Sequence, residues 1–241
     1  PTRRSSDLET CADCLSHCVY CCVGGNAIET AQVQLSPLED YAAFADSVFV
    51  LDRVDDDFTC SVDMSERDYD RKVALVKECI ERAGLCPLAY KVNSCLTVYS
   101  EHLAQLLHQG MAYVVWSLDA GTRETYREVK QIDAFDKAVS NVRRYIKEDA
   151  FEGRFIVAKY LIVKGVNDNA AEFDAYLDIV KELGLKYVSL SFDFNIEADE
   201  SDMAFIQACY AKIVNAGLQL TYKNNSEAVT RALNMNSILN Q

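Results

Sequence analysis

Cys14, Cys18 and Cys21 stand in the segment C-L-S-H-C-V-Y-C, a C-x3-C-x2-C spacing with Tyr20 just before the last cysteine. Three thiolates from one short loop can hold three irons of a [4Fe–4S] cluster and leave the fourth iron without a protein ligand. An iron left open can take a small molecule, which separates a reactive cluster from an electron-transfer cluster closed by four cysteines. Cys11 and Cys22 flank the three, and Cys11 with Cys14 also forms a C-x2-C pair, which reads as half of a zinc site. A second pair at useful spacing is missing. His17 could complete such a site, although inside a tight cysteine loop a histidine more often stays solvated. Cys60, Cys79, Cys86, Cys95 and Cys209 are scattered singly, and all but Cys95 read as small buried hydrophobes.

The rest of the chain must position that loop. At 241 residues, half of them hydrophobic, it can bury a substantial core as one domain. Ten cysteines fall well short of the roughly 8–10% of a disulfide scaffold. No secretory leader and no long uncharged apolar run is present, so the expectation is a cytoplasmic protein, not in a membrane, with reduced thiols free for metal. A net charge of −13 argues against nucleic acid as a partner, and Asp55, Asp56 and Asp57 read as a solvated turn. Residues 1–8, PTRRSSDL, look like translated sequencing-adapter DNA and are set aside as non-native. On that reading only Glu9 and Thr10 survive of a strand preceding the cysteine loop.

Beyond the loop the pattern alternates between strand and helix. Phe58–Asp63 reads as a strand and Asp70–Leu85 as a helix on Val73, Val76 and Ile80. Ala89–Asn93 is a strand, followed by a helix from about Ser100. Ala112–Leu118 is a continuous apolar run, as a buried parallel strand should be, with Trp116 in the core. The helix on Phe135, Ala138, Val139, Val142 and Ile146 has the clearest period in the chain. Phe155–Val163 is strand, and Ala171–Leu183 is helix closed by Gly184. Tyr187–Asp193 is strand, Ala204–Ala216 helix, and Leu218–Tyr222 a further strand. Repeated βα units predict an α/β fold, a partial (β/α)6 TIM-like parallel barrel with its chemistry at the C-terminal strand ends. The core domain is expected over 9–222, with a C-terminal helical tail over 223–241.

The cysteine spacing with Tyr20 resembles the radical S-adenosylmethionine (SAM) superfamily. The resemblance continues through Ser117–Thr122 (SLDAGT) with Tyr126, Lys130 and Asp133–Asp136, which is similar to the family's fourth βα unit. Lys159–Asn169 (KYLIVKGVNDN) is similar to its fifth, and the likeness covers most of residues 11–195. It implies a [4Fe–4S] cluster on Cys14, Cys18 and Cys21 whose open iron chelates SAM, with Tyr20 beside the adenine. It further implies an enzyme in which a reduced cluster cleaves SAM, and a 5′-deoxyadenosyl radical abstracts hydrogen from a substrate that the sequence does not name. A flavodoxin or ferredoxin electron donor is implied in the same way.

Individual residues carry two readings each. Ser117 and Asp119 could hydrogen-bond ribose hydroxyls, while Asp119 reads almost equally well as a cap of the helix over Thr122–Lys130. Lys159 is a charge in an apolar run, either at a sheet edge or pointing into a polar barrel interior. Asn167 and Asp168 make a turn, in a loop that the family uses near adenine. Asp193 and Asn195 could contact ribose or substrate, or simply supply polarity before a helix. Where the family has Gly-Gly-Glu for the SAM amino group, this chain has Met64-Ser65-Glu66; Glu66 keeps the carboxylate and the glycines are lost. Where the family has Thr-Asn-Gly, it has Asn93-Ser94-Cys95. A zinc-binding cysteine module and a catalytically inactive barrel of the same kind are the competing readings.

Overall fold

Strands buried on both faces need helices to cover them, and a run of βα units meets that need with a parallel sheet. The computed structural model describes residues 18–20, 90–193, 195–221 and 228–233. Five strands lie in sequence order and all run parallel: β1 Tyr90–Ser94, β2 Ala112–Ser117, β3 Ile156–Ile162, β4 Tyr187–Phe192 and β5 Gln219–Leu220. Helix α1 (Glu101–His108) follows β1, and α2 (Arg123–Lys130) and α3 (Phe135–Glu148) follow β2. Helix α4 (Ala170–Glu182) follows β3, and α5 (Glu200–Asn215) follows β4. Strands paired strictly in chain order, with a helix between each pair, make the α/β progression of a partial TIM-like barrel.

Strand alternation sends one face to the main core. Val114 and Trp116 of β2, Ala158, Tyr160 and Ile162 of β3, and Val188, Leu190 and Phe192 of β4 pack there. They meet Leu103 and Leu107 of α1, Tyr145 of α3, Phe173 and Val180 of α4, and Ile206 and Ile213 of α5. Trp116 and Cys209 are buried as expected. The opposite face of β3 presents Lys159 and Leu161, the latter clustered with Val129 and Val163 against Tyr20 and Val166. β3 pairs with β2 on one side and β4 on the other, so Lys159 is not at a sheet edge.

The starts of α1, α2, α4 and α5 are fixed by side-chain acceptors. Leu103 N donates to Ser100 Oγ (3.1 Å), Thr125 N to Thr122 Oγ1 (3.3 Å) and Glu172 N to Asn169 Oδ1 (3.0 Å). α5 begins at Glu200, ahead of the Ala204 that its apolar period suggests. The cause is a reciprocal capping box, in which Asp202 N donates to Asp199 Oδ1 (3.0 Å) and Asp199 N to Asp202 Oδ2 (2.9 Å). Gly184, at φ 70°, closes α4 as its position in the sequence predicts, with Leu185 N donating to Val180 O (3.1 Å). The last strand is only Gln219–Leu220, shorter than the expected Leu218–Tyr222. Residues 228–233 are helical. Residues 1–8, the expected strand Phe58–Asp63 and the expected helix Asp70–Leu85 lie outside the described residues. Among the described residues no helix is long and apolar enough to cross a membrane.

Candidate functional site

The C-terminal ends of β2, β3 and β4 meet the segment 18–20 of the cysteine loop. Just past β2, Asp119 takes a left-handed φ of 55°, a conformation that aspartate tolerates better than most residues. The turn sends its carboxylate back into the molecule. Leu161 N donates to Oδ1 (2.7 Å), while Tyr20 OH (2.6 Å) and Lys130 Nζ (2.5 Å) donate to Oδ2. Lys130 Nζ also donates to Tyr20 OH (2.6 Å) and sits over the tyrosine ring. The side chains of Asp119 and Lys130 are both 0% exposed.

A charge so buried survives only because it is paired. Burial by itself pushes the Asp119 carboxyl up; the Lys130 and then Lys159 ammonium groups outweigh it and hold the carboxyl below its ordinary range. Burial likewise pushes Lys130 down, and Asp119 more than offsets it, so Lys130 titrates well above the ordinary lysine range. Tyr20 is raised, first by burial and then by Asp119.

Main-chain contacts complete the docking of the loop. Val19 N donates to Val129 O (3.0 Å) in the last turn of α2, and Asn195 Nδ2 donates to Tyr20 O (3.1 Å). Asn195 also donates to Asp193 Oδ1, from its backbone N (2.9 Å) and from Nδ2 (3.0 Å). The helix that follows is capped by Asp199, so Asp193 and Asn195 tie the loop to β4 and do not start α5. Cys18 is buried and its thiol is hydrogen-bonded with that of Cys95, just past β1. That bond, aided by Lys130, outweighs burial and lowers the Cys18 thiol to about 6. Cys95 is itself held where Trp116 Nε1 donates to its carbonyl (3.2 Å).

A further set of buried polar groups shapes the loop after β2. Asn167 Nδ2 donates to Asp119 O and Leu161 O (2.8 Å each), and Val163 N donates to Asn167 Oδ1 (2.7 Å). The Asn167 side chain thus joins the ends of β2 and β3, and both its N–H donors are committed to backbone. Glu172 of α4 accepts from Gly121 N (2.5 Å) and Thr122 N (2.9 Å) on Oε1 and from Thr122 Oγ1 (3.0 Å) on Oε2. Gly121 lies so close to α4 that a Cβ would stand 2.3 Å from Glu172 O and 2.4 Å from Tyr176 N. Ser117 and Lys159 are opposite one another in the β2–β3 register.

The sequence-predicted residues Cys18, Tyr20, Ser117, Asp119, Lys159, Asn167 and Asp193 therefore belong to neighbouring loops and strand positions. Cys14, Cys21 and Glu66 lie outside the described residues. The reading of Asp119 as a helix cap is corrected: Thr122 caps α2, and Asp119 spends both carboxylate oxygens on Leu161, Tyr20 and Lys130. Lys130 entered the sequence reading only as part of a motif; its pairing with Asp119 joins residues 11 apart across a helix. Glu172 gave no sequence signal beyond a polar residue in a first helical turn. Of the three loop cysteines, Cys18 is among the described residues, and its hydrogen bond with Cys95, aided by Lys130, favours the thiolate, the form that binds metal.

Several solved structures resemble this chain, among them the following two. Streptococcus suis SuiB bound to S-adenosylmethionine matches with a TM-score of 0.56 at 10% identity, over 86% of this chain and 44% of that one. Native anSMEcpe with bound AdoMet matches with a TM-score of 0.62 at 12% identity, over 88% of this chain and 61% of that one. This chain thus spans about half the length of the structures it matches. No protein-family model and no curated protein sequence matches it. At these identities the likeness is one of fold, an α/β fold shared with SuiB and anSMEcpe, whose structures each hold S-adenosylmethionine.

Proposed function

We propose that this chain is the core of a radical SAM enzyme, with Cys14, Cys18 and Cys21 holding a [4Fe–4S] cluster and SAM bound beside it. The observation that carries the reading is the docking of Cys18–Tyr20 onto the C-terminal strand ends, where a parallel barrel keeps its chemistry. Cys14, Cys18 and Cys21 would hold the cluster, which when reduced would supply the single electron needed to activate bound SAM for hydrogen-atom abstraction from substrate.

The chain's own residues supply position and charge. Lys130 and Asp119 fix the Tyr20 ring, and Asn195 fixes the Tyr20 carbonyl, so the loop is anchored on both sides of its aromatic residue. The hydrogen bond with Cys95 and the nearby Lys130 charge favour the thiolate form of Cys18. Ser117, Lys159 and Asp193 offer polar groups at the strand ends for SAM, and Glu66 a carboxylate for its amino group. Asp119 and Asn167 position loops in this reading. The electron donor is a flavodoxin or ferredoxin, and the compartment a reducing cytoplasm.

Anaerobic iron–sulfur reconstitution tests the proposal. About four irons per chain and a brown chromophore are expected. Cys14→Ala, Cys18→Ala or Cys21→Ala abolishes both; Cys11→Ala and Cys22→Ala keep them. Adding SAM changes the EPR spectrum of the reduced cluster, and Glu66→Ala weakens that response. Stoichiometric zinc without iron uptake would overturn the proposal in favour of a zinc module. An assembled cluster whose EPR ignores SAM would identify an inactive barrel.

A further inference from the structure

Among the described residues, Cys95 is the cysteine outside the loop that meets it; Cys209 lies in the main core. The Cys95 and Cys18 thiols are hydrogen-bonded, and the two residues are buried, at 6% and 8% exposed. Cys95 stands where the family pattern has a glycine, which offers no such thiol. The turn that carries it is built under strain. Leu96, fully buried, takes a left-handed φ of 56°, a conformation unfavourable for a bulky residue.

Three elements hold that turn in place. Leu96 N donates to Ser94 Oγ of β1 (2.9 Å), Trp116 Nε1 of β2 to the Cys95 carbonyl (3.2 Å), and Asn141 Nδ2 of α3 to the Leu96 carbonyl (2.8 Å). A strained residue persists where its surroundings over-determine it, and here they fix the backbone from which the Cys95 thiol reaches Cys18. A metal-bound thiolate carries no proton. With Cys18 as an iron ligand, the bond between the two sulfurs therefore needs the Cys95 S–H as donor and Cys18 Sγ as acceptor. Lys130 contributes charge near Cys18, but its hydrogen bonds go to Asp119 and Tyr20.

We propose that Cys95 tunes the cluster through Cys18: its S–H donates to the Cys18 thiolate and raises the cluster's reduction potential. Reduction places further negative charge on the cluster and its sulfur ligands, so a donor aimed at one of those sulfurs favours the reduced form. The bond is buried, where a hydrogen bond is electrostatically stronger than in water. The inference rests on the radical SAM reading in one respect, that Cys18 binds iron. A raised potential suits a cluster that an electron donor must reduce before it acts.

For the test, the full chain is reconstituted anaerobically and poised at a series of potentials, and the EPR signal of the reduced cluster gives the midpoint. Cys95→Ala removes the donor. It is expected to shift the reduced-to-oxidised ratio at the wild-type midpoint about tenfold toward oxidised, about 59 mV for a one-electron couple. Cys95→Ser keeps a donor and recovers most of that shift. Iron content and thermal midpoint are recorded for each protein. An unchanged potential in Cys95→Ala, or an equal displacement in Cys95→Ser, overturns the donor role. Loss of iron from a folded Cys95→Ala protein overturns it too, since Cys95 would then be a ligand. Electron–nuclear double resonance on the wild type needs no variant to fold. An exchangeable proton coupled to the reduced cluster is expected in ordinary water and lost in deuterated water, and its absence overturns the donor. If the wild type takes up no iron, the radical SAM reading falls and this inference with it. A cluster whose EPR ignores SAM but whose potential still depends on Cys95 sinks that reading alone; a SAM response with no such dependence sinks the inference alone.

Discussion

Asp119 and Lys130 are the residues on which the loop's position depends most directly. Removing one partner of a fully buried pair leaves an uncompensated charge, so Lys130→Met should cost about 3–5 kcal/mol in urea unfolding. Asp119→Asn combined with Lys130→Met should cost less than the two single losses added, because the groups interact directly. The pH dependence follows from the directions of the shifts. Asp119 is depressed in the folded state, so its contribution is present above its unfolded value near 3.8 and is lost as pH falls through the folded value. Lys130 is raised, so its contribution is complete below 10.5 and is lost only as pH rises through its higher folded value. The pair therefore stabilises throughout the neutral range. Stability measured from pH 7 into acid should fall less steeply in the Asp119→Asn variant than in the wild type.

At the scale of elements, the loop after β2 is set by what α4 and the turn after β3 bring to it. Gly121→Ala should cost about 1–3 kcal/mol, because the new methyl meets backbone atoms of α4, which cannot swing aside like a side chain. Asn167→Ala strands the Val163 amide and the Asp119 and Leu161 carbonyls, and a loss of about 3 kcal/mol is expected. Asn167→Asp tests the geometry further: its carboxylate still accepts from Val163 but cannot donate to the two carbonyls. Denaturant midpoints for the three variants provide the check. A wild-type midpoint for Asn167→Ala would mean that the turn after β3 holds without its side chain.

On the scale of the whole molecule, the parallel sheet should dominate cooperativity. β3 is bonded to strands on both sides, whereas β5 comprises only Gln219–Leu220. Hydrogen exchange should therefore find the amides of Val157–Ile162 among the slowest and those of Gln219 and Leu220 markedly faster. Equal protection in β3 and β5 would show that the sheet opens only as one unit.

The linear order of residues carried the elements and their succession. The continuous apolar run over 112–118 and the helical period over 135–146 are local signals, and both elements form where those signals lie. The alternation of these elements was enough for a parallel α/β barrel, and the cysteine spacing was enough to suggest a cluster. Where local signals competed, the sequence misled: the apolar period of α5 hid a capping box that starts the helix earlier, and Asp119 passed for a cap. Partnerships across long stretches of chain needed the fold itself. Tyr20 meets Asp119 across 99 residues and Lys130 across 110, and no periodicity encodes such a meeting. It follows from strand order and register, which bring the ends of β2, β3 and β4 together and so decide which of the chain's many charges are buried. The same register sets Ser117 opposite Lys159, two residues the sequence could single out but could not place side by side.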